Sequence, residues 1–399
     1  MEAYKKGVPF KELNARIKKL QNILVKKDIQ GILIIQKSDF FYFAGTIQQG
    51  WLYVPSEGEP VLIIFKDFER AVSESDLNIV ISLVSPKKIP ETLNKMGYSI
   101  PKVLGMELDV LPVNLYLQYQ KIFEKSKIID ISIDIRLIRA IKSDYEIEIL
   151  RNAAAMADKV SEKVPEFLEQ GKTELEFAGQ VEGYARSLGH QGIVRMRLWG
   201  SELFYGHIMS GKSASIPSFL ASPTGGFGAN SAMAQGAGFN KIKKNEPILV
   251  DYVFALDGYI ADQTRIFCIS GISDEFLKIH NVMLEIQEMA KNKAVPGVLA
   301  GDLYEMMITM AKDKGCEKYF MGFGDRKIRF TGHGVGLELD EFPFIAKGQK
   351  TVIQKNMVIA LEPKAIIPEK GVVGIENTFL VTENGLEVLT KTNNDIVIL

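Results

Sequence analysis

The chain has 399 residues, of which 46% are hydrophobic and 24% charged, a composition typical of proteins that fold completely around a large core. Its 48 lysines and arginines nearly balance its 49 aspartates and glutamates, so no global field favours nucleic acid or an anionic membrane surface as a partner. With two cysteines, no apolar run of about 18 residues and no secretory leader pattern, the sequence predicts a cytoplasmic two-domain protein that acts on a small molecule or peptide.

Residues 1–138 are predicted to form a small α/β domain. Residues 11–27 place leucines and isoleucines at helical spacing, and an apolar run that begins at Gly31 is typical of a buried strand. Two further apolar runs, 51–54 and 61–65, flank a turn rich in proline and glycine and predict a hairpin. We find no cluster of chemically reactive side chains in this part of the sequence.

Residues 139–399 are predicted to form a second domain. Ser143 and Glu146 have the spacing of a capping box at the start of a helix over 144–164. Residues 200–238, rich in glycine and serine, lack periodicity and are expected to form a long functional loop. Further helices are predicted at 174–188, 275–293 and 301–314, and strands at 248–256, 258–269, 358–365, 374–382 and 387–389.

Five potential metal ligands lie on or beside the predicted strands of the second domain: Asp251, Asp262, His333, Glu362 and Glu376. A hairpin over 248–269 would bring the two aspartates together, and the two glutamates belong to adjacent strands of the final meander. Such a site suits Mn, Co, Fe or Zn, and four carboxylates carry enough charge for two divalent ions that could share and deprotonate a water. Acidic residues near turns are more often solvated, so spacing alone leaves both interpretations open.

Three segments resemble the signature blocks of the M24 metallopeptidase family: ILVDYVFALDGYIADQTRIF, FTGHGVGLELDEFP and IALEPKAIIPEKGVVGIENTFLVTENGLEVLT. A fourth, RLIRAIKSDYEIEILRNAAAMAD, resembles the helix that opens the catalytic domain in the Xaa-Pro branch. That family includes methionine aminopeptidase, aminopeptidase P, prolidase and creatinase. The resemblance implies an α/β (α+β) architecture, with a pita-bread catalytic domain after a creatinase/prolidase-like N-terminal domain, and a homodimer.

The resemblance also implies a role for each of the five ligands. Asp251 would bind one metal ion, His333 and Glu362 would bind the other, and Asp262 and Glu376 would bridge both. Glu362 would also carry the catalytic proton from the bridging water to the leaving nitrogen. The implied cofactors are two divalent ions, Mn or Co foremost, with Zn and Fe as alternatives.

Three positions depart from the family pattern. Gln235 and Asp340 stand where the peptidases have histidines that contact the substrate carbonyl, and Gly374 stands where the Xaa-Pro branch has an arginine. These replacements predict a rebuilt substrate pocket and weak cleavage of ordinary Xaa-Pro dipeptides. Six residues are candidates to line the rebuilt pocket: Arg195, Arg197, Tyr205, His207, Lys212 and Asp340.

The leading prediction is therefore a metallopeptidase of the Xaa-Pro aminopeptidase or dipeptidase type. One alternative is a divergent member of the family that acts on a non-peptide C–N bond, or as a lyase on a small metabolite. Another is a protein that binds its ligand without catalysis. Intact metal ligands argue against the last alternative, whereas the missing histidines favour the first.

Overall fold

The computed structural model describes residues 7–203 and 205–399. The chain divides between Arg139 and Ala140 into two compact units. Over the described residues, no helix combines the length and the apolar character needed to span a membrane.

A six-stranded sheet forms the centre of the first unit. Its strands are β1 (Gly31–Ile34), β2 (Gly50–Pro55), β3 (Val61–Ile64), β4 (Val80–Ser82), β5 (Val103–Met106) and β6 (Lys127–Asp130). Their spatial order is β4-β3-β2-β1-β5-β6, with β2 antiparallel to both its neighbours and the outer strands parallel. Tyr53 pairs with Val61 across the predicted turn, which confirms the hairpin.

Six helices accompany this sheet: α1 (Phe10–Lys26), α2 (Lys37–Ala44), α3 (Phe68–Glu74), α4 (Ile89–Lys95), α5 (Val113–Ile122) and α6 (Ser132–Ala140). The first confirms the predicted helix, since Leu13, Ile17 and Leu20 recur every three or four residues and are buried.

The helices of the second unit lie close to their predicted positions: α7 (Asp144–Phe167), α8 (Glu174–Ser187), α9 (Asp274–Lys293) and α10 (Ala300–Asp313). The predicted capping box is present, because the Ser143 side chain accepts from the Glu146 N–H and the Glu146 side chain accepts from the Ser143 N–H. Thr173 and Glu176 form a second capping box at the start of α8.

The strands of the second unit belong to three sheets. They are β7 (Gly206–Ser210), β8 (Ile248–Leu256), β9 (Tyr259–Cys268), β10 (Phe330–Gly334), β11 (Glu341–Ala346), β12 (Val358–Leu361), β13 (Lys364–Ile367), β14 (Gly371–Gly374), β15 (Asn377–Thr382), β16 (Gly385–Val388) and β17 (Val397–Ile398). One sheet has the order β17-β9-β8-β7, another has the order β11-β10-β12-β15-β16, and β13 and β14 form a separate hairpin.

Two strand predictions in the final meander were wrong in the same way. The predicted strand 358–365 is broken into β12 and β13, and the predicted strand 374–382 contains the end of β14 and then β15. Pro363 has no N–H to donate to a ladder, so β12 ends before it. Leu361 pairs with Asn377 and Lys364 pairs with Gly374, which leaves Glu362 and Glu376 facing each other where the pairing changes.

The glycine- and serine-rich segment was also predicted wrongly as lacking regular structure, because it contains β7. A buried carboxylate holds this segment. Glu174 Oε1 accepts from the Ser210 N–H at 2.8 Å and from the Asn240 amide at 3.0 Å, and Oε2 accepts from the Ser213 hydroxyl at 3.1 Å and the Gly238 N–H at 3.0 Å. The first residue of α8 therefore ties two separate parts of the segment, Ser210–Ser213 and Gly238, to the unit's interior.

Candidate metal centre and substrate cavity

The β8–β9 hairpin brings the two candidate aspartates to one face of the sheet. Asp251 pairs with Thr264, and Val253 pairs with Asp262, so the aspartates are diagonal neighbours two residues apart in register. On the other side of Asp251, β7 places His207 directly opposite.

The other three candidate ligands approach from the second large sheet. His333 Nε2 lies 3.8 Å from Asp262 Oδ2, 3.8 Å from Glu362 Oε1 and 3.9 Å from Glu376 Oε1. Ligand atoms of Asp262, His333 and Glu376 all lie within 4.8 Å of one another. The structure thus brings together residues that are far apart in the sequence, as the predicted cluster requires.

The orientation of His333 leaves one ring nitrogen for the cluster. Its Nδ1 lies 3.2 Å from the Gly334 carbonyl oxygen, which can only accept, so Nδ1 carries a proton and donates. Nε2 therefore faces the carboxylates, in the arrangement by which a backbone carbonyl orients a metal-binding imidazole.

A residue that the sequence analysis did not single out lies in the same cluster. The Lys364 ammonium donates to Asp251 Oδ2 at 3.0 Å, Glu362 Oε2 at 3.0 Å and Glu376 Oε2 at 2.8 Å. Glu376 Oε2 also accepts from the Thr264 hydroxyl at 2.9 Å. The signal in the sequence was a lysine in an apolar strand, KAII, whose four residues are all buried.

Burial and the neighbouring charges shift the pKa values of the side chains in this cluster. Burial, followed by the charges of Glu376 and Asp251, raises the pKa of Asp262 well above its usual value. Burial raises the pKa of Glu376 to about 7 against the opposing effect of the Lys364 ammonium. Burial opposes the charge of Lys364, but the neighbouring carboxylates prevail and raise the pKa of the lysine well above its ordinary value. These directions indicate an excess of negative charge that favours a bound cation.

The residues present fit a divalent ion beside His333. Asp262 Oδ1 is buried and has no hydrogen-bond partner among the described residues, and a buried carboxylate oxygen is costly to leave unpaired. Ions such as Mn, Co, Fe and Zn bind carboxylate oxygen and imidazole nitrogen at about 2.0–2.2 Å, so ligands 3.8–3.9 Å apart can share one ion.

A cavity of about 340 Å³ opens on the cluster. His207, Gln235 and Asp340 line it, together with a largely apolar wall that includes Leu198, Leu203, Leu220 and Phe344. His207 Nε2 and Gln235 Oε1 are buried and make no hydrogen bond of standard geometry among the described residues, although the Gln235 side chain lies close enough to His207 to act on its pKa. Burial lowers the pKa of His207, which favours the neutral imidazole.

Other candidates for the pocket have different places. Arg195, Arg197, Tyr205 and Lys212 are not among the residues that line the cavity, so the prediction that they do was wrong. Lys212 forms an exposed ion pair with Glu369 instead. Asp340 does line the cavity, but its oxygens accept from the N–H groups of Arg197 and Leu198, each at 2.7 Å. Long-range backbone contacts of this kind leave no local signal in a sequence.

Comparisons with known proteins agree with this geometry. Residues 148–383 match the model of metallopeptidase family M24, and residues 16–141 match that of the creatinase/prolidase N-terminal domain. An Xaa-Pro dipeptidase of Pyrococcus furiosus is 29% identical over 96% of this chain and 100% of its own length.

Solved structures give the same assignment. An Xaa-Pro dipeptidase from Bacillus anthracis has a TM-score of 0.82 at 25% identity, covering 97% of this chain and 100% of the other. The prolidase from Pyrococcus horikoshii has a TM-score of 0.80 at 26% identity, covering 96% and 100%. The chain therefore belongs to metallopeptidase family M24, with a creatinase/prolidase N-terminal domain before a pita-bread catalytic domain.

Proposed function

We propose that this chain is a metal-dependent hydrolase that cleaves the bond before proline, either by removing an N-terminal residue or by splitting an Xaa-Pro dipeptide. The observation that carries the proposal is the group of four carboxylates and one imidazole at the base of an apolar cavity. Relatives named Xaa-Pro dipeptidase, similar over 96% of this chain, support the choice of substrate class. The apolar wall suits a proline ring.

Asp251, Asp262, His333, Glu362 and Glu376 are the proposed metal ligands. A divalent ion at this position, Mn or Co by family resemblance with Zn or Fe as alternatives, supplies Lewis acidity and an activated water. The family pattern implies two ions, and Lys364, which lies among the same carboxylates, decides whether both can bind.

Glu362 is the proposed catalytic residue. Its carboxylate accepts a proton from the attacking water and returns it to the leaving nitrogen, as a general base and then a general acid. The position of Glu362 directly after β12 fits this role. Its side chain lines the cavity, and the preceding residue, Leu361, is fixed in the sheet by its pairing with Asn377.

His207 is the proposed replacement for the missing family histidines. The His207 and Gln235 side chains both line the cavity, and His207 lies opposite Asp251 in the sheet, so a change of side-chain rotamer would let them orient a substrate carbonyl or amine. Asp340 shapes the wall of the cavity by holding the backbone at Arg197 and Leu198. Its two strong hydrogen bonds also offset part of its negative charge, which lessens the repulsion expected of a free carboxylate there.

The test compares Ala-Pro with Ala-Ala after the chain is stripped of metal and supplied with Mn or Co. Cleavage of Ala-Pro that requires metal and exceeds cleavage of Ala-Ala supports the proposal. Glu376→Gln should abolish this activity, whereas Glu369→Gln, an exposed residue paired with Lys212, should retain it. Equal rates on the two dipeptides would contradict the assigned substrate class.

A second candidate function is hydrolysis or lysis of a non-peptide C–N bond in a small metabolite. The observation that favours it is the cavity lining, in which Gln235 and Asp340 occupy the positions of the family's two histidines. Conversion of small amides without cleavage of any dipeptide would favour this candidate, and metal binding without turnover of either class would favour a binding protein.

Cytoplasmic location and a homodimer complete the proposal. Both cysteines, Cys268 and Cys316, are buried and free, which suits a reducing compartment. The dimer follows from family resemblance, and light scattering that gives the mass of one 44.5 kDa chain at micromolar concentration would contradict it.

A further inference from the structure

A buried lysine occupies part of the cluster that the family resemblance assigns to metal ions. The side chain of Lys364 is 1% exposed, and its ammonium makes contacts of 2.8–3.0 Å with Asp251, Glu362 and Glu376. A buried ammonium requires such pairing. Asp251 is the proposed ligand of one ion only, so the lysine lies on the side of the cluster where that ion would bind.

The carboxylate oxygens divide between two neighbouring positions. Oε2 of Glu362 and Oε2 of Glu376 accept from Lys364, whereas Oε1 of each faces His333 Nε2 at 3.8 and 3.9 Å. Asp262 Oδ2 also faces His333, and Asp262 Oδ1 has no partner among the described residues. One position is therefore filled by a cation of the chain, and the other is lined by ligands for a cation from solution.

The register of the β13–β14 hairpin makes room for the lysine. Lys364 pairs with Gly374, and a Cβ at position 374 would lie 2.5 Å from the Pro363 carbonyl oxygen, 2.7 Å from Lys364 Cα and 3.1 Å from Lys364 Cγ. A larger residue there would displace the backbone or the lysine. The absence of the family's arginine at 374 and the presence of Lys364 are thus two parts of one arrangement.

We propose that the Lys364 ammonium replaces one of the two metal ions of the family and that this centre binds a single divalent ion beside His333. Four carboxylates carry four negative charges, of which the ammonium and one divalent ion neutralise three. A second divalent ion would have to share the same oxygens with an ammonium at contact distance, where like charges repel strongly. The inference rests on the metal site of the proposed function and is independent of the substrate.

The first experiment measures metal content on the unaltered chain. Metal-free protein is titrated with Mn, separated from free ion, and examined by native mass spectrometry and elemental analysis. We expect saturation at one Mn per chain. Saturation at two Mn per chain, or no retained Mn at all, would overturn the proposal.

The second experiment removes the internal cation. Lys364→Ala leaves the same carboxylates around an open position, so we expect the Mn content to rise from one to two per chain. Lys142→Ala is the matched control, because Lys142 is equally buried but pairs with Glu341 outside the cluster; its content should stay at one. A Lys364→Ala protein that still binds one ion would refute the replacement.

Anomalous scattering from Mn-soaked crystals of the unaltered chain provides a measurement that does not depend on the folding of any variant. One peak beside His333, with Lys364 still bound to Asp251, is the expected result, and a second peak on Asp251 would overturn it. The metal count tests the role of Lys364, and peptide cleavage tests the proposed substrate class, so one proposal can be refuted without the other. One ion without Ala-Pro cleavage would refute only the substrate class, whereas two ions with cleavage would refute only the role of Lys364.

Discussion

Removal of the Glu174 side chain should detach the wall of the cavity from α8. This carboxylate is fully buried and accepts hydrogen bonds from Ser210, Ser213, Gly238 and Asn240. Two of its donors are backbone N–H groups: that of Ser210, three residues after His207, and that of Gly238, three residues after Gln235. In the Glu174→Ala variant these two N–H groups would remain buried without an acceptor.

The structure sets the size of the effect. An unsatisfied buried N–H costs about 1–3 kcal/mol, so two of them lower the free energy of unfolding by about 2–6 kcal/mol. We expect about 4 kcal/mol, because the side-chain donors can rotate toward other acceptors while the backbone donors cannot. Such a loss is a large part of the stability of an ordinary domain, about 5–15 kcal/mol.

Urea unfolding followed by circular dichroism measures the loss, and hydrogen exchange with mass spectrometry locates it. Peptides from residues 206–240 should lose protection, while strands β1–β3 of the first unit keep theirs. Glu176→Ala is the matched control, since it removes an exposed carboxylate from the same helix and should cost much less. A loss below about 1 kcal/mol for Glu174→Ala, or equal losses for the two variants, would refute the reasoning.

Three further predictions follow from the site and its surroundings. Asp262→Asn should weaken Mn binding about 100-fold or more in equilibrium titrations, because it removes a charged ligand whose Oδ1 has no other partner among the described residues. Burial lowers the pKa of native His190 to about 4, so below about pH 6.5 the unfolded chain takes up a proton that the native state refuses. His190 alone should therefore lower the unfolding free energy by about 2.5 kcal/mol between pH 6.5 and pH 4, measured as the difference between the pH slopes of the unaltered chain and His190→Asn in urea titrations. Asp340→Ala should lower the unfolding free energy by about 1–3 kcal/mol, because it leaves the buried Arg197 N–H without an acceptor, while the part-buried Leu198 N–H can turn to water. Asp340→Asn keeps one acceptor oxygen and should lose less, and equal losses would contradict the backbone role.

The prediction for His190 has a geometric basis as well. Its Nδ1 accepts from the Gly192 N–H at 2.8 Å, and its Nε2 lies 3.1 Å from the Val253 carbonyl oxygen. One nitrogen must therefore accept while the other donates, which only the neutral ring can do. Protonation would break the bond from Gly192.

Local sequence patterns were enough to predict several elements of this structure. Helix α7 begins where Ser143 and Glu146 predict it, because a capping box is satisfied by residues three positions apart. The hairpin that carries Asp251 and Asp262 follows from two apolar runs and a turn at Gly258. Family resemblance then identified His333 and the two glutamates, since the order and kind of the ligands are themselves a sequence pattern.

The tertiary structure decided what surrounds those ligands. Lys364 reaches Asp251 across 113 residues of sequence, and the Glu174 carboxylate reaches Gly238 across 64. The lysine in an apolar strand marks Lys364 as unusual, but the partners of Lys364 and Glu174 cannot be inferred from a local pattern, because they depend on the register of strands and on the path of a loop. The sequence by itself thus identified five candidate metal ligands, whereas only the packing of the two sheets decided that a lysine contacts three of their carboxylates and that Asp340 binds the backbone.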